Sequence, residues 1–322
     1  DEARKIRYMN SAASKICGRQ GNEPARGLSV EVILPSDELC SMLDERDGTR
    51  LVSLKRAAAS KLEMTTLTLA RGRMIVLQDL TEKVKLEEAR RDFFIDAGHE
   101  FQTPLTVIRT GLEMLMSGGS VTEKEDLDAL KSMIRQQERI SGLVDDLLFL
   151  VKLDLGTSVE NREEVNMREM IYDVISDVKQ LPSGKNIEIK ANLPEGPLSY
   201  SGVYGDIRRA LLNLVENGVK YVSSARDQGG RVDITVGDST EALRISVDDN
   251  GPGVPEEERE LIFERFRRGD HHRARRGSSF GGYGLGLSIS RRIAEREGGS
   301  LEIEGSGLGG ASFIMTLPRK QS

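Results

Sequence analysis

Three stretches of the chain place polar groups at spacings suited to a phosphorylated ligand. In Gly281-Gly282-Tyr283-Gly284-Leu285-Gly286, the glycines Gly282, Gly284 and Gly286 precede or open a helix-like run that ends at Gly298-Gly299, a favourable left-handed C-cap. N–H groups at such a helix start point outward, the helix dipole adds partial positive charge, and the missing Cβ atoms let an anion come close. A purely structural turn is the competing reading of these glycines alone. In NLVENGVKYV, Asn213 and Asn217 stand four residues apart, with Lys220 and Tyr221 continuing the same helical face. Amides on an otherwise apolar helix are costly unless bonded, and a hydrated Mg2+ with triphosphate oxygens would engage an Asn oxygen and the Lys ammonium together. The alternative is a solvated helix face. In DDNGPGVP, residues 248–255, Asp249 follows the strand-like LRISV into a Gly/Pro turn. Its carboxylate can accept a hydrogen bond from an exocyclic amine such as adenine's, with Gly251 and Gly253 letting the ring approach; a plain surface turn would carry the same residues.

These groups need elements to hold them. From about Glu160 onward, strands are expected at NIEIKANL, RVDITVGD, ALRISVDD, SLEIEGS and ASFIMTLP, and helices around MREMIYDVISDVKQL, GDIRRALLNLVENGVKYV and GLGLSISRRIAERE. A mixed sheet with helices on one face follows. Upstream, Thr81 or Asp79 can cap a long helix that Pro104 should kink and SGGS, at 117–120, should end. A second helix begins near VTEKEDL, and its Leu127, Leu130, Ile134, Ile140, Leu143, Leu147 and Val151 advance mostly by three or four. Such a hairpin buries too little alone, so pairing with a second copy into a four-helix bundle is expected. Residues before Leu80 look strand-rich, with KIRYMNSAAS, SVEVILP, LVSLKR, KLEMTTLTLA and RMIVLQDL separated by turn residues. The expected fold is therefore multidomain α+β: a small α/β sheet domain over 1–80, a helical hairpin over 81–157, and an α/β sandwich over 158–322.

Composition narrows the function classes. At 322 residues, 38% hydrophobic, the chain has room for two or three domains of about 100 to 200 residues each. Its 46 Lys and Arg against 52 Asp and Glu leave a net charge of −6, which supplies no global positive field for nucleic acid or an anionic membrane. Cys17 and Cys40 belong to no CxxC or Cys/His group, which speaks against a metal site or disulfide framework and suits a reducing cytoplasm. Neither a P-loop nor a dinucleotide-binding fingerprint is present. The densest apolar run, LVDDLLFLVKL, is broken by Asp145, Asp146 and Lys152 and falls short of the roughly 18 residues of a membrane span. Opening at Asp1 without an initiating Met, the chain is expected to be a piece of a longer protein, with any membrane attachment through a segment outside it.

NLVENGVKYV, DDNGPGVP, FERFRRGD and GGYGLGLSI occur in the order, and at about the spacing, of the N, G1, F and G2 boxes of sensor histidine kinases. The resemblance covers about residues 160–320 and implies the Bergerat ATP-binding fold shared with gyrase, the mismatch-repair ATPases and the heat-shock chaperone ATPases. It implies that Asn217 ligates Mg2+, that Asn213 and Lys220 stand on the phosphate side, and that Tyr221 walls an adenine pocket read by Asp249 beside Gly251 and Gly253. It also implies that Gly282, Gly284, Leu285 and Gly286 face the phosphates, with Arg268 reaching them from a mobile lid. His271 and His272, without a carboxylate or Cys partner nearby, are expected to be exposed lid residues rather than metal ligands.

FIDAGHEFQTPLTVI resembles the H box of the same family, usually His-Glu-Leu-Arg-Thr-Pro-Leu, with His99, Glu100, Thr103 and Pro104 matching. Without that resemblance a lone helical His reads as structural. With it, His99 is the implied nucleophile toward ATP, and Glu100 the group that orients the imidazole or takes its proton. Thr103, one turn on, matches a Glu-x-x-Thr step that often supports dephosphorylation of the partner by orienting a water. The implied acceptor is an aspartate of a separate response regulator. Phe101 and Gln102 depart from the usual leucine and arginine, Gly98 loosens the helix by about 1 kcal/mol relative to Ala, and Tyr283 stands where a small hydroxyl residue is common. YMNSAASKICG resembles the opening of a PAS domain and VLQDLTEKVKLEEARRDFF its exit helix; no cofactor is expected there. The alternatives are a non-kinase ATPase clamp of the same fold and a phosphatase-biased scaffold.

Overall fold

The structure, a computed structural model, describes residues 1, 3–18, 25–34, 43, 47–53, 61–116, 122–155, 162–226, 228–267 and 283–319. The chain divides into two compact units, Asp1–Ile95 and Asp96–Ser322.

In the first unit, α1 (Ser11–Ile16) and α2 (Val30–Ile33) precede an antiparallel sheet of β1 (Gly48–Ser53), β2 (Lys61–Leu69) and β3 (Gly72–Asp79), in that order. Along β2, Leu62, Met64 and Thr66 alternate inward and meet Val30, Ile33, Leu34 and Val52 in a small core. Two of the expected strands are corrected here. KIRYMNSAAS contributes only an isolated bridge from Lys5 to Ser29 before turning helical, and SVEVILP opens as α2. The reason is capping: Asn10 Oδ1 accepts the Ala13 N–H at 2.8 Å, and Ser29 Oγ accepts that of Glu31 at 3.4 Å. Local side-chain acceptors at these two positions outweigh the β-branched composition.

Helix α3 (Thr81–Met116) starts where the Asp79 carboxylate accepts the Thr81 N–H at 2.9 Å, and the Thr81 hydroxyl first, then this N–H, lower the Asp79 pKa from its ordinary value. It runs through Pro104 without ending, although Pro104 has no N–H to donate to the carbonyl one turn back. Helix α4 (Glu123–Leu155) opens with a capping box: Glu125 N–H donates to Thr122 Oγ1, and Thr122 N–H to Glu125 Oε2 at 3.2 Å. The two helices come close at Gly111, where an added Cβ would lie 3.0 Å from Met133 Sδ. Of the expected α4 stripe, Leu143 is buried, Ile140 and Leu147 are half-buried, and Leu127, Leu130, Ile134 and Val151 are exposed. Leu105 and Leu112 of α3 are exposed as well.

The rest of the second unit is built from β4 (Glu163–Asn166), α5 (Met167–Gln180), β5 (Ile187–Asn192), β6 (Ser199–Gly202), α6 (Tyr204–Ala225), β7 (Gly230–Asp238), β8 (Ala242–Asp249), α7 (Gly286–Arg296), β9 (Ser300–Gly305) and β10 (Ala311–Pro318). The main sheet runs β5-β7-β8-β10-β9, parallel only between β5 and β7; β4 and β6 form a separate two-stranded ribbon. Period-two patterning sets its register, placing Ile234, Val247, Phe313 and Ile303 in one row and Val236, Ile245, Met315 and Leu301 in the next. In the same core Ile171 and Val174 of α5, Leu211, Leu214 and Val219 of α6, and Ile289 and Ile293 of α7 are all buried. Each such side chain contributes about 1.5–3 kcal/mol on leaving water. The core thus fixes α6 and α7 rigidly, and those helices carry the polar residues picked out by the sequence.

Candidate functional site

Helix α6 presents its apolar residues to the sheet and leaves Asn213, Asn217, Lys220 and Tyr221 half-buried. Gly218 lies between them, and an added Cβ there would meet Val232 at 3.4 Å and Asp249 Cβ at 3.7 Å. That gap lets α6 lie close to β7 and β8. Asn213 Nδ2 donates to the Gly286 carbonyl at 3.1 Å and reaches Ser290 Oγ at 3.5 Å, tying α6 to the first turn of α7. The Lys220 ammonium sits 5.5 Å from the Tyr221 ring centroid. From Asn213 to Tyr221 is two turns, about 12 Å of helix.

At one end of this span is the start of α7. Gly284 adopts φ +75°, and an added Cβ there would come within 2.6 Å of the Arg267 carbonyl oxygen; its own carbonyl accepts the Phe266 N–H at 3.0 Å. Leu285 is fully buried and pins the turn, and Gly286 opens the helix. Among the described residues no side chain caps that helix start, so its first N–H groups and the positive end of its dipole are open to another acceptor. Gly282 and Arg268, like His271 and His272, lie outside the described residues.

At the other end lies Asp249, last residue of β8 and 2% exposed. Its Oδ1 accepts the N–H groups of Gly251 at 2.8 Å and Ala311 at 3.2 Å, fixing the carboxyl plane with the other oxygen to meet a donor. Burial pushes the Asp249 pKa up, against the pull of those two bonds. Gly251 brings the turn against Tyr221 of α6, and Gly253 sits at φ +72°.

Sequence reasoning missed Gly310, which completes this corner. An added Cβ there would lie 2.2 Å from Asp249 Oδ1 and 2.6 Å from Gly251 N. Its one local signal was the glycine-rich GSGLGGAS between two strands. Also missed was Glu216, beside Asn217, whose pKa is raised by burial and then by the nearby Asp146 charge.

His99 is exposed on α3; Glu100 beside it is half-buried, and Thr103 is exposed one turn on. Glu100 Oε2 lies 3.7 Å from Arg139 Nη2 on α4. The Arg139 carbonyl accepts the Tyr283 hydroxyl, and the Arg139 guanidinium sits 5.4 Å from the Tyr283 ring centroid. Further along α4, Asp146 pairs with Arg209 of α6, whose guanidinium lies 4.0 Å over the Phe149 ring. Asp154 pairs with Arg265 at 2.8 Å and Arg292 at 3.4 Å. Among the described residues no group of three or more His, Cys, Asp or Glu is arranged to hold a metal, and no helix is long and apolar enough to cross a membrane.

Comparison with known proteins places this geometry. Residues 89–156 match the model of the His Kinase A (phospho-acceptor) domain, and residues 202–321 that of the histidine kinase-, DNA gyrase B- and HSP90-like ATPase, together more than half of the chain. The sensor histidine kinase WalK of Bacillus subtilis (strain 168) is 35% identical over 257 residues, 78% of this chain and 40% of the relative. The signal transduction histidine-protein kinase/phosphatase MprB of Mycobacterium sp. (strain KMS) is 36% identical over 270 residues, 80% of this chain and 48% of the relative. The chain thus spans about half the length, or less, of these curated relatives. In fold it resembles the solved structure of histidine kinase ThkA in complex with response regulator protein TrrA, with a TM-score of 0.54 at 24% identity, covering 98% of this chain and 93% of that one. Carrying both modules in this order, the chain belongs to the sensor histidine kinases of two-component systems.

Proposed function

We propose that the chain catalyses transfer of the terminal phosphoryl group of ATP to His99 and passes it on to an aspartate of a separate response regulator. One observation carries the nucleotide half of this reading. A single face of α6 runs from Asn213, bonded to the start of α7, to Tyr221 beside Gly251 and the buried Asp249. ATP then lies along α6 with its adenine amine donating to Asp249 and its phosphates toward Asn213, Lys220 and the α7 N–H groups, with Arg268 and Gly282 completing the phosphate side. The donor set suits Mg2+, which takes few protein oxygens and keeps waters and phosphate oxygens. Asn217, half-buried midway along that face, would supply the protein ligand, and the ion when bound neutralises phosphate charge.

At His99 a ring nitrogen attacks the γ-phosphorus as the bond to the bridging oxygen breaks. ADP leaves with that electron pair, and the proton on the other ring nitrogen passes to Glu100. Exposure of His99 on α3 suits both this step and later access by a partner. Thr103, exposed one turn away, suits the orientation of a water for the opposing hydrolysis of the regulator's phosphoryl group. The apolar residues left uncovered on α3 and α4 support a homodimeric four-helix bundle. The domain limits 1–80, 81–157 and 158–322 belong to the same proposal, with a PAS-like sensor in the first and attachment to a membrane through a segment outside this chain.

The test is label from [γ-32P]ATP. Acid-labile label is expected on the wild type and neither on His99→Gln nor on Asn217→Ala; a mixture of the two variants regains label only if one subunit phosphorylates the other. Label that survives in His99→Gln would refute the assignment.

A further inference from the structure

We propose that Arg139 is a positioning residue for phosphoryl transfer to His99, acting through Glu100, and that Tyr283 holds Arg139 in place. The inference rests on the kinase reading above. A base must meet its proton at about 3 Å, and a Glu on a helix face has three rotatable side-chain bonds to lose first. The Arg139 guanidinium, 3.7 Å from Glu100 Oε2 on the neighbouring helix, restricts them. An ordinary exposed pair of this kind is weak, because the arginine itself is mobile. Here both side chains are half-buried and the arginine is fastened a second time. Tyr283 donates its hydroxyl to the Arg139 carbonyl, its ring lies against the guanidinium, and its hydroxyl lies over the next turn of α4, 3.8 Å from where a Cβ on Gly142 would stand. Burial pushes the Tyr283 phenol up to about 12, so it stays a donor at working pH. Among the described residues Arg139 Nε is buried without a hydrogen-bond partner, and it is Nη2 of the same guanidinium that faces the Glu100 carboxylate.

The consequence is a short mechanical line. Tyr283 lies two residues before Leu285, in the turn that opens α7 and would meet the phosphates. Arg139 joins that turn to the carboxylate beside the phosphoacceptor, so the base is set in position only while the turn is docked on α4.

The experiment uses the full chain, measuring the rate of acid-labile labelling of His99 at saturating ATP and, separately, the affinity for a non-hydrolysable ATP analogue by calorimetry. Arg139→Gln is expected to label about tenfold more slowly with unchanged nucleotide affinity, since misplacing a general base forfeits part of its contribution. Arg139→Lys recovers part of the rate. Tyr283→Ala also slows labelling, and adding it to Arg139→Gln costs nothing further, because the two act in one network. Should Arg139→Gln fold poorly by thermal melting, Tyr283→Phe, which removes only the hydroxyl, carries the test with a loss of about threefold. A wild-type rate in Arg139→Gln or, failing that variant, in Tyr283→Phe overturns the proposal, as do losses that multiply in the double variant. Absence of label from His99 in the wild type sinks the kinase reading and this inference with it; undiminished label in Arg139→Gln sinks this inference alone.

Discussion

Replacing Gly310 by Ala tests whether the corner around Asp249 is built as described. The new Cβ would stand 2.2 Å from Asp249 Oδ1, 2.5 Å from the Asp249 carbonyl oxygen and 2.6 Å from Gly251 N. Two of those three atoms are backbone and cannot rotate aside, so β8 or the Gly251 turn must move. Overpacking of this kind costs about 1–3 kcal/mol. The same movement breaks the 3.2 Å bond from Ala311 N–H to the Asp249 carboxylate, and a hydrogen bond to a charged group contributes about 1.5–3 kcal/mol. Because the two losses share one displacement they do not simply add, and a net of about 2–4 kcal/mol is expected. For a domain of this size that lowers Tm by about 5–15 °C. ATP-analogue affinity should fall at least about tenfold, since every 1.4 kcal/mol of lost contact is a factor of ten. Gly307→Ala is the control: nothing lies within 4 Å of its new Cβ, and a change within about 0.5 kcal/mol is expected. The assays are thermal unfolding and calorimetric titration with the analogue. A Gly310→Ala protein that melts and binds like wild type would refute the reasoning.

Two other predictions concern charge and assembly. Burial raises the Asp249 pKa in the folded state, so the native protein binds more protons than the unfolded chain between the ordinary carboxylate pKa and the higher native one, and stability should decline as pH rises through that window; denaturant melts across acid pH should show this slope in wild type and its loss in Asp249→Asn, and an identical slope in both would count against it. Ile134→Glu, at a position 57% exposed within the uncovered α4 stripe, should shift the chain from dimer to monomer by light scattering, with the far-UV helical signal retained on a per-residue basis; an unchanged dimer mass would place the interface elsewhere.

Much of the second unit was legible because local pattern and final environment agree. Alternation in ALRISVDD is the alternation of β8, the apolar run in ASFIMTLP is β10 buried on both faces, and the apolar period of GDIRRALLNLVENGVKYV is the buried face of α6. The ribbon of β4 and β6 escaped notice because EEVN and SYSG are too short and polar to carry a period. α1 and α2 were misread as strands because composition was weighed above the caps at Asn10 and Ser29. Gly310 and Arg139 had no decisive local signature: each matters through neighbours, Asp249 and Glu100, that only folding brings alongside. Periodicity likewise tells which side of α4 is apolar, and exposure of Leu127 and Leu130 in the single chain then points to a second one.

The seam along α4 also has a material character of its own. Arg209 to Asp146, and Arg265 and Arg292 to Asp154, are partly solvated pairs of opposite sign, and such pairs weaken as the Debye length shrinks from about 10 Å at 0.1 M salt to about 3 Å at 1 M. The seam therefore holds less like glue than like a magnetic clasp, its grip on α6 and α7 loosening as ionic strength rises.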